Sequence, residues 1–198
     1  PMGVIGCVMP STNPVATIIG NAMMALKGRN SVIIAPHPMS VRLSVKMVKL
    51  LREALESVGA PADLIQCISE EYASREATNL MMSTCDACIS TGGAGRVKAA
   101  YSSGKPAFGV GQGNVQEIVD LGISDAELER QATLCVAHRA KDNGVPCAGA
   151  QTVHIHAQQL EQWKGYMQEH GAFLIDKDED IAALRALVFP DGGTKLNR

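Results

Sequence analysis

Residues 87–97 read Ala87-Cys88-Ile89-Ser90-Thr91-Gly92-Gly93-Ala94-Gly95-Arg96-Val97, and this stretch decides the fold. An apolar run typical of a strand ends in a glycine-rich turn, and the turn opens an alanine-rich helix. Glycines in such a turn let a ligand approach the backbone, and the free N–H groups at a helix start attract phosphate. The regular dinucleotide fingerprint G-x-G-x-x-G is absent, so a tight turn and a phosphate site are both open interpretations.

Short apolar runs alternate with helical patterns along the chain, which is typical of βαβ units. The predicted strands are Gly3–Met9, Ser31–Ala35, Asp63–Ile68, Ala87–Thr91, Ala107–Val110, Gln151–Ile155 and Ala172–Ile175. The predicted helices are Ala16–Leu26, Val41–Val58, Ala94–Ser102, a helix from about Asp125, Gln159–Glu169 and Asp178–Leu187. The sequence therefore predicts an α/β fold, with helices on the faces of a parallel sheet.

The division of the chain is predicted from one weak break. Gly122 interrupts the pattern that precedes it, and Ser124 with Glu127 forms a capping-box pattern before the next helix. We therefore expect two lobes, residues 1–121 and residues 122–198.

The composition excludes several classes of protein. The 198 residues carry 18 Lys and Arg against 20 Asp and Glu, with no basic run, which argues against a nucleic-acid surface. The longest apolar runs are far shorter than the ~20 residues of a membrane-spanning helix. No signal peptide is visible, and the six cysteines are spread as expected for reduced cytoplasmic thiols. Because the chain opens on Pro1, we expect it to be a piece of a longer protein.

Two further features carry possible chemistry. Gly109-Val110-Gly111-Gln112-Gly113-Asn114 follows a predicted strand, and it suits either the floor of a ligand cleft or a close passage of two backbones. Cys147 lies in a turn-rich loop before the strand Gln151–Ile155, where a thiolate nucleophile would be reachable. The other five cysteines fall in or beside strand and helix patterns, where a free cysteine is usually a small buried hydrophobe.

Metal and redox interpretations are weaker. Cys85-x-x-Cys88 has no second pair to complete a zinc site, and it runs into a strand rather than a helix start. His154 and His156 alternate along a strand without a nearby third ligand, so a polar sheet face explains them. We therefore predict no metal site. His37, between two prolines at a strand end, is placed to contact a ligand.

Six motifs, taken together and in this order, resemble the coenzyme A-acylating aldehyde dehydrogenases. This group includes the acetaldehyde dehydrogenase half of bifunctional aldehyde-alcohol dehydrogenases, microcompartment enzymes and sulfoacetaldehyde dehydrogenases. The motifs are Pro10-Ser11-Thr12-Asn13-Pro14, Ala35-Pro36-His37-Pro38, Thr91-Gly92-Gly93, the run Lys98 to Pro106, the run Gly109 to Asn114, and the run Asp142 to Ala148.

The resemblance implies a fold and a set of site residues. It implies a Rossmann-like nucleotide-binding domain in residues 1–121, incomplete at its N-terminus, and part of a catalytic domain in residues 122–198. It makes Cys147 the nucleophile and Asn13 the side-chain donor of an oxyanion hole. The cofactor-binding residues that it implies are Pro36, His37, Thr91, Gly92, Gly93, Gly109 and Gly111.

The implied reaction is the oxidation of a short-chain aldehyde by NAD⁺, with transfer of the acyl group from Cys147 to coenzyme A. Hydrolytic relatives carry a glutamate base where this chain has Gly109, and without that base the thiol of coenzyme A is the better nucleophile. Ala35 stands where many hydrolytic relatives have a lysine near the cofactor ribose, so NADP is left open beside NAD.

Two alternative functions remain open, and the resemblance also implies partners and a cellular location. The alternatives are a hydrolytic aldehyde dehydrogenase, with Glu117 as a distant candidate base, and a catalytically inactive nucleotide-binding fragment. The expected partners are a small aldehyde, coenzyme A and further copies of the full-length protein, which we expect to be a homo-oligomer. The expected location is the cytoplasm, with a bacterial microcompartment as a special case.

Overall fold

The computed structural model describes residues 1–193 and divides into two compact units, Pro1–Gly113 and Asn114–Arg198. This division precedes the boundary that Gly122 predicts. The reason is the strand β6 (Val115–Val119), which pairs with β7 (Ala150–Ile155) and so belongs to the second unit.

The first unit is a five-stranded parallel sheet in the order β3-β2-β1-β4-β5. Strands β2 and β3 are added on one side of β1, and β4 and β5 are added on its other side, so the strand order reverses at β1. In open α/β sheets, ligands bind beside such a reversal at the carboxyl ends of the strands. The strands are β1 (Val4–Val8), β2 (Ser31–Ala35), β3 (Ile65–Cys67), β4 (Ala87–Thr91) and β5 (Ala107–Val110), and the helices are α1 (Pro14–Lys27), α2 (Val41–Ser57), α3 (Arg75–Thr84) and α4 (Ala94–Tyr101).

Helices cover both faces of this sheet. Ile5 and Cys7, on one face of β1, pack against α1 and α2, where Ile18 and Val48 are buried. Val8, on the opposite face, packs with Met82 of α3 and Ala100 of α4. Strands buried on both faces read as apolar runs without alternation, which is why β1, β2 and β4 are visible in the sequence.

In residues 114–193 the second unit has a two-stranded parallel sheet, β6 and β7, and three α-helices. The helices are α5 (Asp125–Ala140), α6 (Leu160–Glu169) and α7 (Asp178–Val188). Its core gathers Leu128 and Cys135 of α5, Ala150 of β7 and Trp163 of α6. No helix in residues 1–193 is long and apolar enough to cross a membrane.

The α/β fold with a parallel sheet and flanking helices is confirmed, but three elements differ from prediction. Helix α3 and strand β6 were not predicted, because α3 has only a short buried stripe and β6 carries Gln116 and Glu117 among its apolar residues. The predicted strand Ala172–Ile175 is wrong. Within residues 1–193 this segment pairs with no strand, and Phe173 is 85% exposed.

The start of α5 confirms half of the predicted capping box. The Ser124 hydroxyl accepts a hydrogen bond from the backbone N–H of Glu127 at 3.3 Å. The Glu127 carboxylate turns instead to Arg130 and Gln131, whose side chains donate to it at 2.6 to 2.8 Å. These contacts lower the pKa of Glu127 to about 2.

Candidate functional site

The carboxyl ends of β1, β2, β4 and β5 meet at one edge of the first sheet. Val8 at the end of β1 lies level with Ala35 on one side and Ser90 on the other, and Thr91 lies level with Val110 of β5. This register brings together the turns that follow these strands. The implied cofactor-binding residues Pro36, His37, Thr91, Gly92 and Gly93 all lie in or beside those turns.

A cavity of about 380 Å³ opens at this edge, between α3 and α4. Its volume is that of a small-molecule pocket. Val8 and Met82 contribute apolar surface, Pro36 belongs to the turn after β2, and Thr78 and Arg96 belong to α3 and α4. The Ser90 hydroxyl, on the strand beside Val8, is buried and has no hydrogen-bond partner among residues 1–193.

The start of α4 fits a phosphate group. Gly93 is the N-cap residue, and no side chain caps this helix. A Cβ atom added at Gly93 or Gly95 would meet no heavy atom within 4 Å, so both glycines border open space. A ligand can therefore reach the backbone here, and the positive end of the helix favours an anion. The diphosphate of NAD⁺ or coenzyme A fits this donor set.

His37 presents an uncharged ring at this edge. Its Nδ1 accepts a hydrogen bond from the backbone N–H of Met39 at 3.2 Å. Partial burial, and then the positive charge of Arg96, lower the pKa of His37 below its ordinary value. At neutral pH the imidazole is therefore neutral, and the positive charge of this part of the site comes from arginine.

Gly109 and Gly111 occupy different surroundings. A Cβ atom on Gly109 would collide with Val97 Cγ1 and would lie 2.8 Å from Tyr101 Cε2. The Gly109 N–H donates to the Tyr101 hydroxyl at 3.0 Å. Gly109 thus allows α4 to pack closely on β5, so at this glycine two backbones pass close to each other. A Cβ atom on Gly111, by contrast, would meet nothing within 4 Å.

Gly109→Ala is expected to lower the free energy of unfolding of the first unit by about 1 to 3 kcal/mol, because the added methyl overpacks a filled site. Gly111→Ala is the matched control, and it should change stability by less than about 0.5 kcal/mol. Urea unfolding of both variants beside the parent measures the difference. Coincident midpoints for the two variants would contradict this packing role.

Asn13 lies directly after the segment that leaves β1, at the N-cap position of α1. Its backbone carbonyl accepts hydrogen bonds from the N–H of Thr17 at 3.2 Å and from the Thr17 hydroxyl at 2.6 Å. Its side chain, however, makes no capping hydrogen bond, and the residue is exposed. The side-chain amide is therefore available to a ligand.

Cys147 lies in the second unit, in the loop between α5 and β7. This loop begins with three residues in the left-handed region, Asp142 (φ 49°), Asn143 (φ 53°) and Gly144 (φ 70°). The Gly149 N–H then donates to the Pro146 carbonyl at 3.1 Å, which closes a tight turn around Cys147. The backbone is thus tied on both sides of an exposed thiol.

The other five cysteines are unsuited to act as nucleophiles at neutral pH. Burial is the main cause that raises the pKa of each, to about 12 for Cys7 and to about 11 for Cys67 and Cys135. The pKa values of Cys85 and Cys88 are raised for the same reason. Four of the five are buried and Cys67 is partly buried, so Cys147 is the exposed thiol of the chain.

The residues considered for metal binding have other contacts. His154 Nε2 lies 2.7 Å from Gln116 Oε1 across the β6–β7 pair, and His156 Nδ1 accepts a hydrogen bond from the Gln158 N–H. Cys88 donates to the Met82 carbonyl at 3.3 Å. Within residues 1–193 no group of three or more His, Cys, Asp or Glu side chains could hold a metal ion.

Sequence reasoning missed the cavity wall that α3 supplies. Arg75 and Thr78 line the cavity, but both lie on a helix that was not predicted. A signal for that helix existed: Ser74 is its N-cap, and its hydroxyl accepts a hydrogen bond from the Ala77 N–H at 3.0 Å. Arg96 lies in the first turn of α4, but its position in the cavity lining depends on the packing of that helix.

An open parallel sheet with a cavity and glycine-lined helix start at its carboxyl edge defines a nucleotide-binding type of α/β unit. The aldehyde dehydrogenase family model matches residues 1–178, and the chain belongs to this family.

Within this family, the chain is similar to several acylating aldehyde dehydrogenases. The chain is 43% identical over 197 residues to succinate-semialdehyde dehydrogenase (acetylating) of Clostridium kluyveri, covering 100% of this chain and 42% of that protein. A crystal structure of Rhodopseudomonas palustris propionaldehyde dehydrogenase with bound CoA and an acylated cysteine is 34% identical, with a TM-score of 0.83, and the match covers 95% of this chain and 42% of the other.

An engineered glycolyl-CoA reductase with bound NADP⁺ is 33% identical with a TM-score of 0.82, again over 95% of this chain and 42% of that one. The chain thus spans less than half the length of these relatives. The resemblance to acylating aldehyde dehydrogenases is confirmed by the relatives, while the roles of the individual site residues stay predictions.

Proposed function

We propose that this chain carries the nucleotide-binding unit and the nucleophile loop of a coenzyme A-acylating aldehyde dehydrogenase. The reaction converts a short-chain aldehyde, NAD⁺ and coenzyme A to acyl-coenzyme A, NADH and a proton. The observation that carries the proposal is Cys147, an exposed thiol on a loop with a tied backbone, in a chain whose other thiols are at least partly buried. The acylated cysteine of the Rhodopseudomonas palustris relative supports the same role for Cys147.

The Cys147 thiolate adds to the aldehyde carbonyl carbon and forms a C–S bond, and the carbonyl oxygen takes the negative charge. The side-chain amide of Asn13 and the backbone N–H of Cys147 are the proposed donors to that oxygen. NAD⁺, when bound, supplies the acceptor for the hydride of the aldehyde carbon. The product on the protein is a thioester on Cys147.

The second half of the reaction transfers the acyl group. The thiolate of coenzyme A attacks the thioester carbon, the bond to Cys147 breaks, and acyl-coenzyme A leaves with the Cys147 thiolate restored. The glycine turn that opens α4, with Gly93 and Gly95, would hold the diphosphate of either nucleotide, and the apolar part of the cavity would hold the adenine.

The surroundings of two residues disfavour the hydrolytic alternative. Val97 and Tyr101 fill the space where a side chain on Gly109 would lie, so no carboxylate can occupy that position without repacking. Glu117, the other candidate base, lies against the Cys135 thiol in the core of the second unit and helps to raise the pKa of that thiol. Water activation by a general base is therefore poorly provided for here.

The test is NADH formation from acetaldehyde, propionaldehyde and succinate semialdehyde by the protein at its full natural length, with and without coenzyme A. We expect turnover only when coenzyme A is present. Equal turnover without coenzyme A would show the hydrolytic alternative. Nucleotide binding without any turnover would show the inactive binding module. NAD⁺ and NADP⁺ are compared in the same assay, and the homo-oligomer and the cytoplasmic location stay predictions.

A further inference from the structure

The cavity of the first unit is lined by positively charged residues and by no negatively charged one. Two arginine residues line it, Arg75 from the first turn of α3 and Arg96 from the first turn of α4, and no aspartate or glutamate does. Neither arginine forms an ion pair with any carboxylate of residues 1–193, whereas Arg42, Arg52 and Arg130 each have one. The two positive charges are thus left for a ligand.

The rest of the cavity surface suits the base and the diphosphate of an adenine nucleotide. Val8, Met82 and Ala99 provide apolar contact for a base. The open backbone at Gly93 and Gly95 suits a diphosphate. NAD⁺ has no further anionic group for the two arginines to bind. NADP⁺ and coenzyme A each have one, because both carry an extra phosphate monoester on the adenosine ribose.

We propose that Arg75 and Arg96 bind the ribose phosphate monoester of an adenine nucleotide and thereby select nucleotides that carry it. The two arginines approach the cavity from α3 and α4, so a dianionic phosphate held between them would be contacted from both walls. Guanidinium groups suit this task, since their paired N–H donors match phosphate oxygens. The proposal deepens the proposed function and rests on it for the identity of the nucleotides.

The shared ligand chemistry has two sources, and they differ in the position of the phosphate. The monoester is on the 2′ oxygen in NADP⁺ and on the 3′ oxygen in coenzyme A. Adenosine 2′,5′-bisphosphate and adenosine 3′,5′-bisphosphate are therefore the probes, and 5′-AMP is the reference without the monoester. None of the three carries a nicotinamide or a thiol, so their binding is independent of the chemistry at Cys147.

The experiment is calorimetric titration of the full-length protein with these three probes at low salt. We expect at least one bisphosphate to bind about tenfold or more tightly than 5′-AMP, as charge-assisted hydrogen bonds to phosphate imply. A preference for the 3′ isomer identifies coenzyme A as the source, and a preference for the 2′ isomer identifies NADP⁺. The preference should weaken as salt is added, because Arg75 is exposed and Arg96 is only half-buried.

Two variants distinguish binding by these two arginines from a general effect of positive charge on the protein surface. In Arg75→Ala/Arg96→Ala the preference should fall to less than about threefold, while 5′-AMP still binds, which shows that the cavity is intact. Lys98→Ala, on the exposed side of α4 and outside the cavity lining, is the matched control and should keep the preference.

Equal affinity for all three probes in the parent protein, no binding of any of them, or a preference that survives in the double variant would overturn the proposal. Loss of aldehyde turnover with an intact phosphate preference would count against the proposed function alone.

Discussion

Replacement of Cys147 by serine is expected to lower coenzyme A-dependent NADH formation at least about 1000-fold, because a serine hydroxyl without an adjacent base is a far weaker nucleophile than a thiolate. Binding of adenine nucleotides should be unchanged, since the cavity that we assign to them lies wholly in the first unit. Steady-state turnover with acetaldehyde, together with a nucleotide titration of the same preparation, measures both quantities.

Cys67→Ser is the matched control for this prediction. Cys67 is only partly buried, and its thiol donates to the Ile68 carbonyl at 3.4 Å, a bond that a serine hydroxyl can replace. The activity of Cys67→Ser should stay within about threefold of the parent, since Cys67 lies outside the cavity lining and serine is close to cysteine in size. Iodoacetamide should label Cys147 first, and turnover should fall in step with that labelling. Full activity in Cys147→Ser, or in protein fully alkylated at Cys147, would refute the thioester mechanism.

The second large effect is expected at Asn13. Asn13→Ala should reduce turnover about 100-fold, which is the usual cost of removing one donor from an oxyanion hole. The free energy of unfolding should change by less than about 0.5 kcal/mol, because the Asn13 side chain makes no capping bond whose loss would weaken α1. The loss should fall on kcat, since the oxyanion forms only after the aldehyde is bound.

Thr12→Ala provides the comparison at the neighbouring exposed position. It should leave turnover within about twofold of the parent. If Asn13→Ala retained full activity, the oxyanion would have to be stabilised by other donors. A large fall in the unfolding midpoint of Asn13→Ala would instead assign Asn13 a structural role, which its missing cap bond argues against.

The parts of the fold that sequence reasoning reaches are those with strong local signals. The strands Ser31–Ala35, Ala87–Thr91 and Ala107–Val110 were predicted at their observed bounds. Each contains an apolar run next to a turn signal. No residue of β2 or β4 is exposed, so these two strands show no alternation. In β5 the exposed residues, Phe108 and Val110, are themselves apolar. Helix α2 was predicted because its apolar spacing ends at glycine and proline.

The predictions that were wrong or missing concern features that depend on residues far away in the sequence. The segment Ala172–Ile175 has the composition of a strand, but a strand needs a neighbour, and none lies in residues 1–193. The role of Gly109 as a packing position requires the placement of Val97 and Tyr101 on α4. Arg75 could not be assigned to a site at all, because only the tertiary packing of α3 turns it toward the cavity.

The strand order of the first unit has a consequence for how the polypeptide folds as it is synthesised. Strand β1 is made first but lies at the centre of the sheet, and its second edge stays open until β4 arrives. The bond from the Val4 N–H to the Asp86 carboxylate spans 82 residues, and pairings of such high contact order form slowly. The edge of β1 that pairs with β4 thus waits for this partner while α1 to α3 are translated. Chaperone contact during that interval would protect β1 from pairing with another chain.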